Sequence, residues 1–164
     1  MKKIILFLIL IFLLSGCSVL PDELGFIDTV KTLNTPEIIC NYMQDNFVYK
    51  ENFYADPDPE QLFLIREGDC DDMSFFAALC ANYHGYITYQ IHIYFKGACI
   101  CHSLAVYLEN GKHTYSSNQD YFPIYASTFN DIVLDYFEHD QRAINYYEIY
   151  DYDMNLIEKI YASL

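Results

Sequence analysis

The sequence predicts an α+β domain in which a central helix packs on an antiparallel sheet. Three patterns indicate this. Residues 70–83 carry apolar side chains at helical spacing, residues 86–95 alternate apolar and polar side chains with a period of two, and Asn110-Gly111 is a strong hairpin signal between two further strands. The chain has 164 residues, which suffices for one such domain with a hydrophobic core.

The N-terminus predicts an export signal. Lys2 and Lys3 precede an apolar run over residues 4–14, which is shorter than the roughly 20 residues that span a bilayer. The run ends in Leu14-Ser15-Gly16-Cys17, which resembles the lipobox of bacterial lipoproteins. The resemblance implies that Cys17 is lipidated and becomes the new N-terminus.

This interpretation divides the chain into three parts. Residues 1–16 are the lipoprotein signal peptide, residues 17–34 a lipidated tether, and residues 35–164 the folded domain. The expected location is the bacterial cell envelope, with the protein exported and held at the membrane by lipid.

The mature chain is strongly acidic. Loss of the leader removes two lysines and no acid, which changes the formal charge from −14 to −16. Phosphate backbones and anionic headgroups repel such a chain, so nucleic acid is not an expected partner, and the membrane is reached through the lipid anchor. The expected substrate is a peptide or protein with neutral or basic groups.

Capping and turn residues set the predicted elements. Thr35-Pro36 begins a helix that runs to about Phe47, Asp58-Pro59 begins a short helix, and Asp69 caps the central helix, which ends before Gly85. Further predicted elements are strands over 86–95, 100–108, 112–117 and 144–150 and a helix over 129–137.

Once Cys17 is assigned to lipid and Cys70 to chemistry, four cysteines remain, which could form two disulfides in three connectivities, but the sequence favours free thiols and argues against a metal site. Cys40 and Cys80 lie in helical apolar patterns, where cysteine behaves as a small hydrophobe, so we expect free buried thiols. Cys99, Cys101 and His102 lie close together in the sequence, but neighbouring strand positions point to opposite faces and make a poor zinc cage. No cofactor is expected.

The stretch Glu67-Gly68-Asp69-Cys70-Asp71-Asp72 places a thiol at the start of the central helix, and His102 follows on the second strand. This order is similar to the transglutaminase-like cysteine peptidase superfamily, in which a GDCxD motif opens the helix, a histidine follows on a strand, and an acid or amide lies on the next strand. The resemblance covers about residues 59–121 and implies a papain-like fold, with Cys70 as nucleophile and His102 as its base.

The third catalytic residue depends on the hairpin register. A two-residue turn at Asn110-Gly111 places Ser117 diagonally beside His102, whereas a three-residue turn that includes Glu109 places Asn118 opposite it. Asp120 is a further option. We predict Asn118, because an amide accepts a hydrogen bond from the ring N–H better than a short serine does.

The environment of Cys70 predicts an activated thiol. Asp69, Asp71 and Asp72 are interpreted as structural acids of the first helical turn that point away from the sulfur. Protonated His102 and the helix N-terminus would lower the pKa of the thiol. Gln61 or Gln90 is a candidate oxyanion donor beside the Cys70 N–H.

The remaining histidines, His84, His92 and His113, are interpreted as solvated or structural. The predicted function is therefore a lipid-anchored cysteine hydrolase, a peptidase or amidase that forms an acyl-enzyme. The alternatives are an amine-accepting acyltransferase and a catalytically degenerate binding or assembly module, the latter because the family's usual aspartate is missing.

Overall fold

The computed structural model describes residues 25–51, 58–98 and 101–162. The predicted signal peptide and Cys17 lie outside these residues. The helices of the described chain are α1 (Phe26–Thr32), α2 (Pro36–Asn46), α3 (Pro59–Ile65), α4 (Cys70–Tyr83) and α5 (Phe129–Asp140). The strands are β1 (Val48–Tyr49), β2 (Glu67–Gly68), β3 (Ile87–Phe95), β4 (Cys101–Glu109), β5 (Lys112–Ser117), β6 (Asp120–Ala126), β7 (Ile144–Asp151) and β8 (Leu156–Tyr161).

Six strands form one antiparallel sheet in the order β6-β5-β4-β3-β7-β8. The short strands β1 and β2 pair in parallel as a separate two-stranded sheet, and β2 directly precedes α4. The α+β class and the antiparallel sheet are therefore confirmed.

The central helix α4 has the predicted bounds because its caps are local. Asp69 accepts a hydrogen bond from the Asp71 N–H, and Asp72 Oδ2 accepts one from the Asp69 N–H in a capping box. Gly85, with φ of 85°, follows the last turn. The predicted inward stripe is confirmed, since its four members are fully buried: Met73, Phe76, Ala77 and Cys80.

The sheet carries a core on each face. Ala105 and Tyr107 pack with α4 in one core, whereas Leu104 and Val106 pack with α5 in the other. Because side chains alternate along a strand, odd-numbered residues of β4 face α4 and even-numbered residues face α5. This alternation decides where each candidate site residue points.

The hairpin between β4 and β5 has a two-residue turn. Asn110 and Gly111 both have positive φ, of 52° and 76°, as a type I′ turn requires. The register pairs Leu108 with His113 and Leu104 with Ser117. The predicted three-residue turn, which would have placed Asn118 opposite His102, is therefore wrong.

Helix α1 lies in the stretch that the sequence analysis interpreted as tether. Val30 and Leu33 are buried against the same core as α4, so the folded part begins before residue 35. The helix has only seven residues, of which Thr29 and Val30 are buried, so its sequence shows little of the apolar periodicity that predicts a helix.

Candidate active site around Cys70

Cys70 is the first residue of α4 and is half-buried. Burial raises the pKa of its thiol to about 12, against the effect of the Ser103 backbone N–H, which donates a hydrogen bond to the sulfur. Asp69 and Asp71 raise it further. The prediction of a lowered thiol pKa is wrong, because desolvation outweighs the Ser103 hydrogen bond and the nearby acids act in the same direction as burial.

The acids around Cys70 are crowded. The carboxylates of Asp69, Asp71 and Asp72 lie within 4.8 Å of one another. Burial, and the hydrogen bond that the protonated Asp71 carboxyl donates to Asp69, raise the pKa of Asp71 to about 7. Their structural role is confirmed by the capping box of Asp69 and Asp72, but Asp69 and Asp71 still act electrostatically on the thiol.

His102 lies on the other face of the sheet. Its Nε2 is 2.9 Å from Ser117 Oγ, and its ring stacks on Tyr136 of α5, with centroids 5.1 Å apart. Burial, aided by the positive charge of Arg142, lowers the pKa of this imidazole to about 4. The structure thus brings His102 and Ser117 together, but it does not pair His102 with Cys70, because even-numbered residues of β4 face α5.

Neither of the other candidates for the third position forms a hydrogen bond with His102 in the described part of the chain. Asn118 follows β5 with a φ of 52°, and its Oδ1 is buried with no hydrogen-bond partner in the described chain. Asp120 accepts a hydrogen bond from Gln44. Together with Ser117 and Tyr136, His102 and Asn118 line a cavity of about 210 Å³.

The imidazole on the α4 face of the sheet belongs to His92. His92 is the cross-strand partner of Ser103, whose N–H contacts the Cys70 sulfur. The His92 Nε2 is 3.4 Å from Gln90 Oε1. Gln90 Oε1 also accepts a hydrogen bond of 3.3 Å from Ser74 Oγ, which lies 2.7 Å from Ser103 Oγ. A polar network therefore runs from α4 to His92 beneath the first turns of the helix.

The surroundings of His92 favour a neutral ring. Burial lowers the pKa of this imidazole, while the carboxylate of Glu148, its cross-strand partner on β7, acts in the opposite direction. The ring of Tyr150 lies 4.8 Å from it, centroid to centroid. A buried neutral imidazole beside a carboxylate can accept a proton and then be stabilised as a cation.

His92 was predicted to be solvated or structural, although the sequence carries a signal for a buried polar network around it. Thr88, Gln90 and His92 occupy alternate positions of β3, and a polar row on a strand covered by a helix indicates a buried network. Of the two candidate oxyanion donors, Gln90 belongs to this network. Gln61 lies in the first turn of α3, where its backbone N–H donates a hydrogen bond to the capping residue Asp58.

The described cysteines are free. Cys40 and Cys80 are buried, as predicted, and Cys101 is exposed. Cys101 shares the α4 face of β4 with Ser103.

His102 is expected to make stability fall at acidic pH. The unfolded chain takes up a proton near pH 6.5 and the folded chain only near pH 4, so the contribution is complete above pH 6.5 and is lost as the pH falls toward 4. Its size is about 3 kcal/mol at most. Urea unfolding measured from pH 7 to pH 4 should show that the free energy of unfolding falls less steeply in His102→Gln than in the parent. Equal pH dependence in the two proteins would contradict the lowered pKa of His102.

The chain is an exported, lipid-anchored protein of the cell envelope. Residues 1–18 match the family model of the prokaryotic membrane lipoprotein lipid attachment site. No curated protein matches the chain. Within the described ranges, no helix has the length and apolar character needed to cross a membrane.

Proposed function

We propose that the chain is a lipid-anchored cysteine hydrolase, a peptidase or amidase in which Cys70 attacks an amide carbonyl. The resemblance to transglutaminase-like cysteine peptidases in the GDCDD stretch supports this class of reaction. One observation carries the proposal. The Cys70 sulfur accepts a hydrogen bond from the backbone N–H of Ser103, and Ser103 is the cross-strand partner of His92.

The proposed chemistry starts from two neutral groups. A thiol with a raised pKa is almost fully protonated at pH 7, and burial lowers the pKa of His92, which favours its neutral form. His92 therefore accepts the thiol proton as the sulfur attacks the carbonyl carbon, and it returns that proton to the leaving amine. Water then hydrolyses the thioester, with His92 again as base.

Two other groups support these steps. Glu148 stabilises the transient imidazolium through its negative charge. The Cys70 N–H and the Gln90 amide are the candidate donors to the developing oxyanion. The acidic surface favours peptides with neutral or basic groups, and the lipid anchor confines the reaction to the membrane surface.

Acylation by p-nitrophenyl acetate tests the proposal without knowledge of the substrate. We expect a burst of p-nitrophenolate and an acetyl group on the Cys70 peptide. Cys70→Ala should abolish both, while Cys101→Ala, a second thiol on the same face, should retain them. An added amine that accelerates deacylation would identify the acyltransferase alternative; a burst unchanged in Cys70→Ala would overturn the proposal.

A catalytically degenerate binding or assembly module is the second candidate. It is favoured by the location of His102 on the α5 face and by Ser117 in place of the acid expected beside it. It predicts that no acetyl group appears on Cys70, and that Cys70→Ala retains every phenotype of the parent.

A further inference from the structure

We infer that Cys70 and Cys101 form a reversible disulfide in the oxidising cell envelope, which masks the Cys70 thiol. The bond itself is independent of the proposed function. Only its consequence, the loss of a nucleophile, rests on that function.

The packing of α4 on β4 places the two cysteines at the same level. Ser74 of α4 contacts Ser103 of β4, and farther along both elements Cys80 lies near Tyr107, so helix and strand run in the same direction. Cys70 lies four residues before Ser74, a helical rise of about 6 Å. Cys101 lies two residues before Ser103, about 6.6 Å along a strand.

Cys70 of α4 faces β4, and Cys101 of β4 faces α4. Cys70 and Ser74 lie one turn apart and share a face of α4, while Cys101 and Ser103 alternate onto the face that α4 covers. Cys101 is among the groups that raise the pKa of the Cys70 thiol electrostatically, which is consistent with this proximity.

Solvent exposure distinguishes Cys70 and Cys101 from the other described cysteines. Cys101 is exposed at the first position of β4 and Cys70 is half-buried, whereas Cys40 and Cys80 are buried. Asp69 and Asp71 act electrostatically on both Cys70 and Cys101. A disulfide carries no charge, so its formation places no negative sulfur beside these carboxylates. Export to the envelope places the pair where disulfides persist.

The chemistry is thiol–disulfide exchange with a small neutral disulfide, here 2-hydroxyethyl disulfide, which the acids do not repel. The Cys101 thiolate attacks one sulfur and releases one mercaptoethanol. The Cys70 thiolate then attacks the Cys101 sulfur of the mixed disulfide and releases the second. Two electrons pass to the oxidant, and the two thiol protons leave with the mercaptoethanol.

Peptide mapping of the full lipidated protein in detergent, after this treatment, tests the inference. Trypsin cleaves after Arg66, Lys96 and Lys112, so the two cysteines fall on separate peptides unless they are joined. We expect the joined pair, at a mass two hydrogens below the sum, in the parent and in the Cys80→Ala and Cys99→Ser variants. It should be absent in Cys101→Ser.

Separate mixed disulfides on Cys70 and Cys101, or a link that disappears in Cys99→Ser, would overturn the inference. Acylation by p-nitrophenyl acetate provides an independent readout of the proposed function. If the link forms but reduced protein gives no acyl-enzyme, the hydrolase proposal fails and the disulfide stands. If the reduced protein forms the acyl-enzyme and no disulfide link forms, the disulfide inference fails and the hydrolase proposal stands.

Discussion

Alkylation of Cys70 by iodoacetamide at pH 7.5 is expected to be about 10²-fold slower than that of an unperturbed thiol. A pKa of about 12 lowers the thiolate fraction at this pH by about 3 × 10³-fold relative to a thiol of pKa near 8.5. The greater intrinsic nucleophilicity of a more basic thiolate raises the rate again by a factor of about 25 to 60, which leaves a net decrease of about 10²-fold.

Peptide-resolved mass spectrometry from pH 6 to 10 measures this rate. The rate constant should rise steadily across the range, and the same cysteine in urea-unfolded protein should level off above pH 9. A plateau reached below pH 7 in the folded protein would instead show a preformed thiolate, and with it a thiolate–imidazolium pair that the geometry does not provide.

Replacement of Phe76 by alanine is expected to lower the free energy of unfolding by about 3 to 5 kcal/mol. Phe76 is fully buried on α4. Its ring centroid lies 4.9 Å from that of Phe47, 6.1 Å from Tyr42 and 6.4 Å from Phe26, so one side chain links α4 to α1 and α2. Its loss leaves a cavity among three rings.

Urea unfolding at neutral pH measures this change, with Tyr83→Ala as the matched control on the same helix. Tyr83 is 53% exposed, so its truncation should cost less than about 1 kcal/mol. A cost below about 1 kcal/mol for Phe76→Ala would contradict the described packing of α4.

The central helix could be predicted from sequence because its signals are local. Asp69, Asp72 and Gly85 fix its ends, and Met73, Phe76 and Cys80 mark its inner stripe. The strands of the hairpin were equally clear from Asn110-Gly111. Its register was misjudged because Asn118 was favoured for its chemistry, whereas the backbone of a type I′ turn determines the pairing.

The strands at the two sheet edges were harder to predict. Residues 120–126 include Pro123, which argues against a strand unless it lies at an edge, as β6 does. Residues 156–161 of β8 are mostly exposed, including Leu156 and Ile157, and so show no alternation. Both strands depend on tertiary pairing that a local pattern does not encode.

The composition of the site could not be predicted because β4 shows no burial alternation. Residues 102–107 are buried on both faces, between α4 and α5, so the sequence does not reveal which residues face the central helix. The family resemblance directed attention to His102, whereas the contact between Ser74 and Ser103 shows that the odd-numbered residues of β4, and His92 opposite Ser103, face α4.

Comparison of His92→Gln with His102→Gln in the acylation of Cys70 by p-nitrophenyl acetate tests the central claim most directly. Loss of a general base should cost about 10² to 10⁴-fold, so His92→Gln should lower the acylation rate constant by at least 10²-fold. His102→Gln should leave it within about threefold of the parent, because that imidazole faces α5. The opposite pattern, with acylation lost in His102→Gln and retained in His92→Gln, would contradict the account.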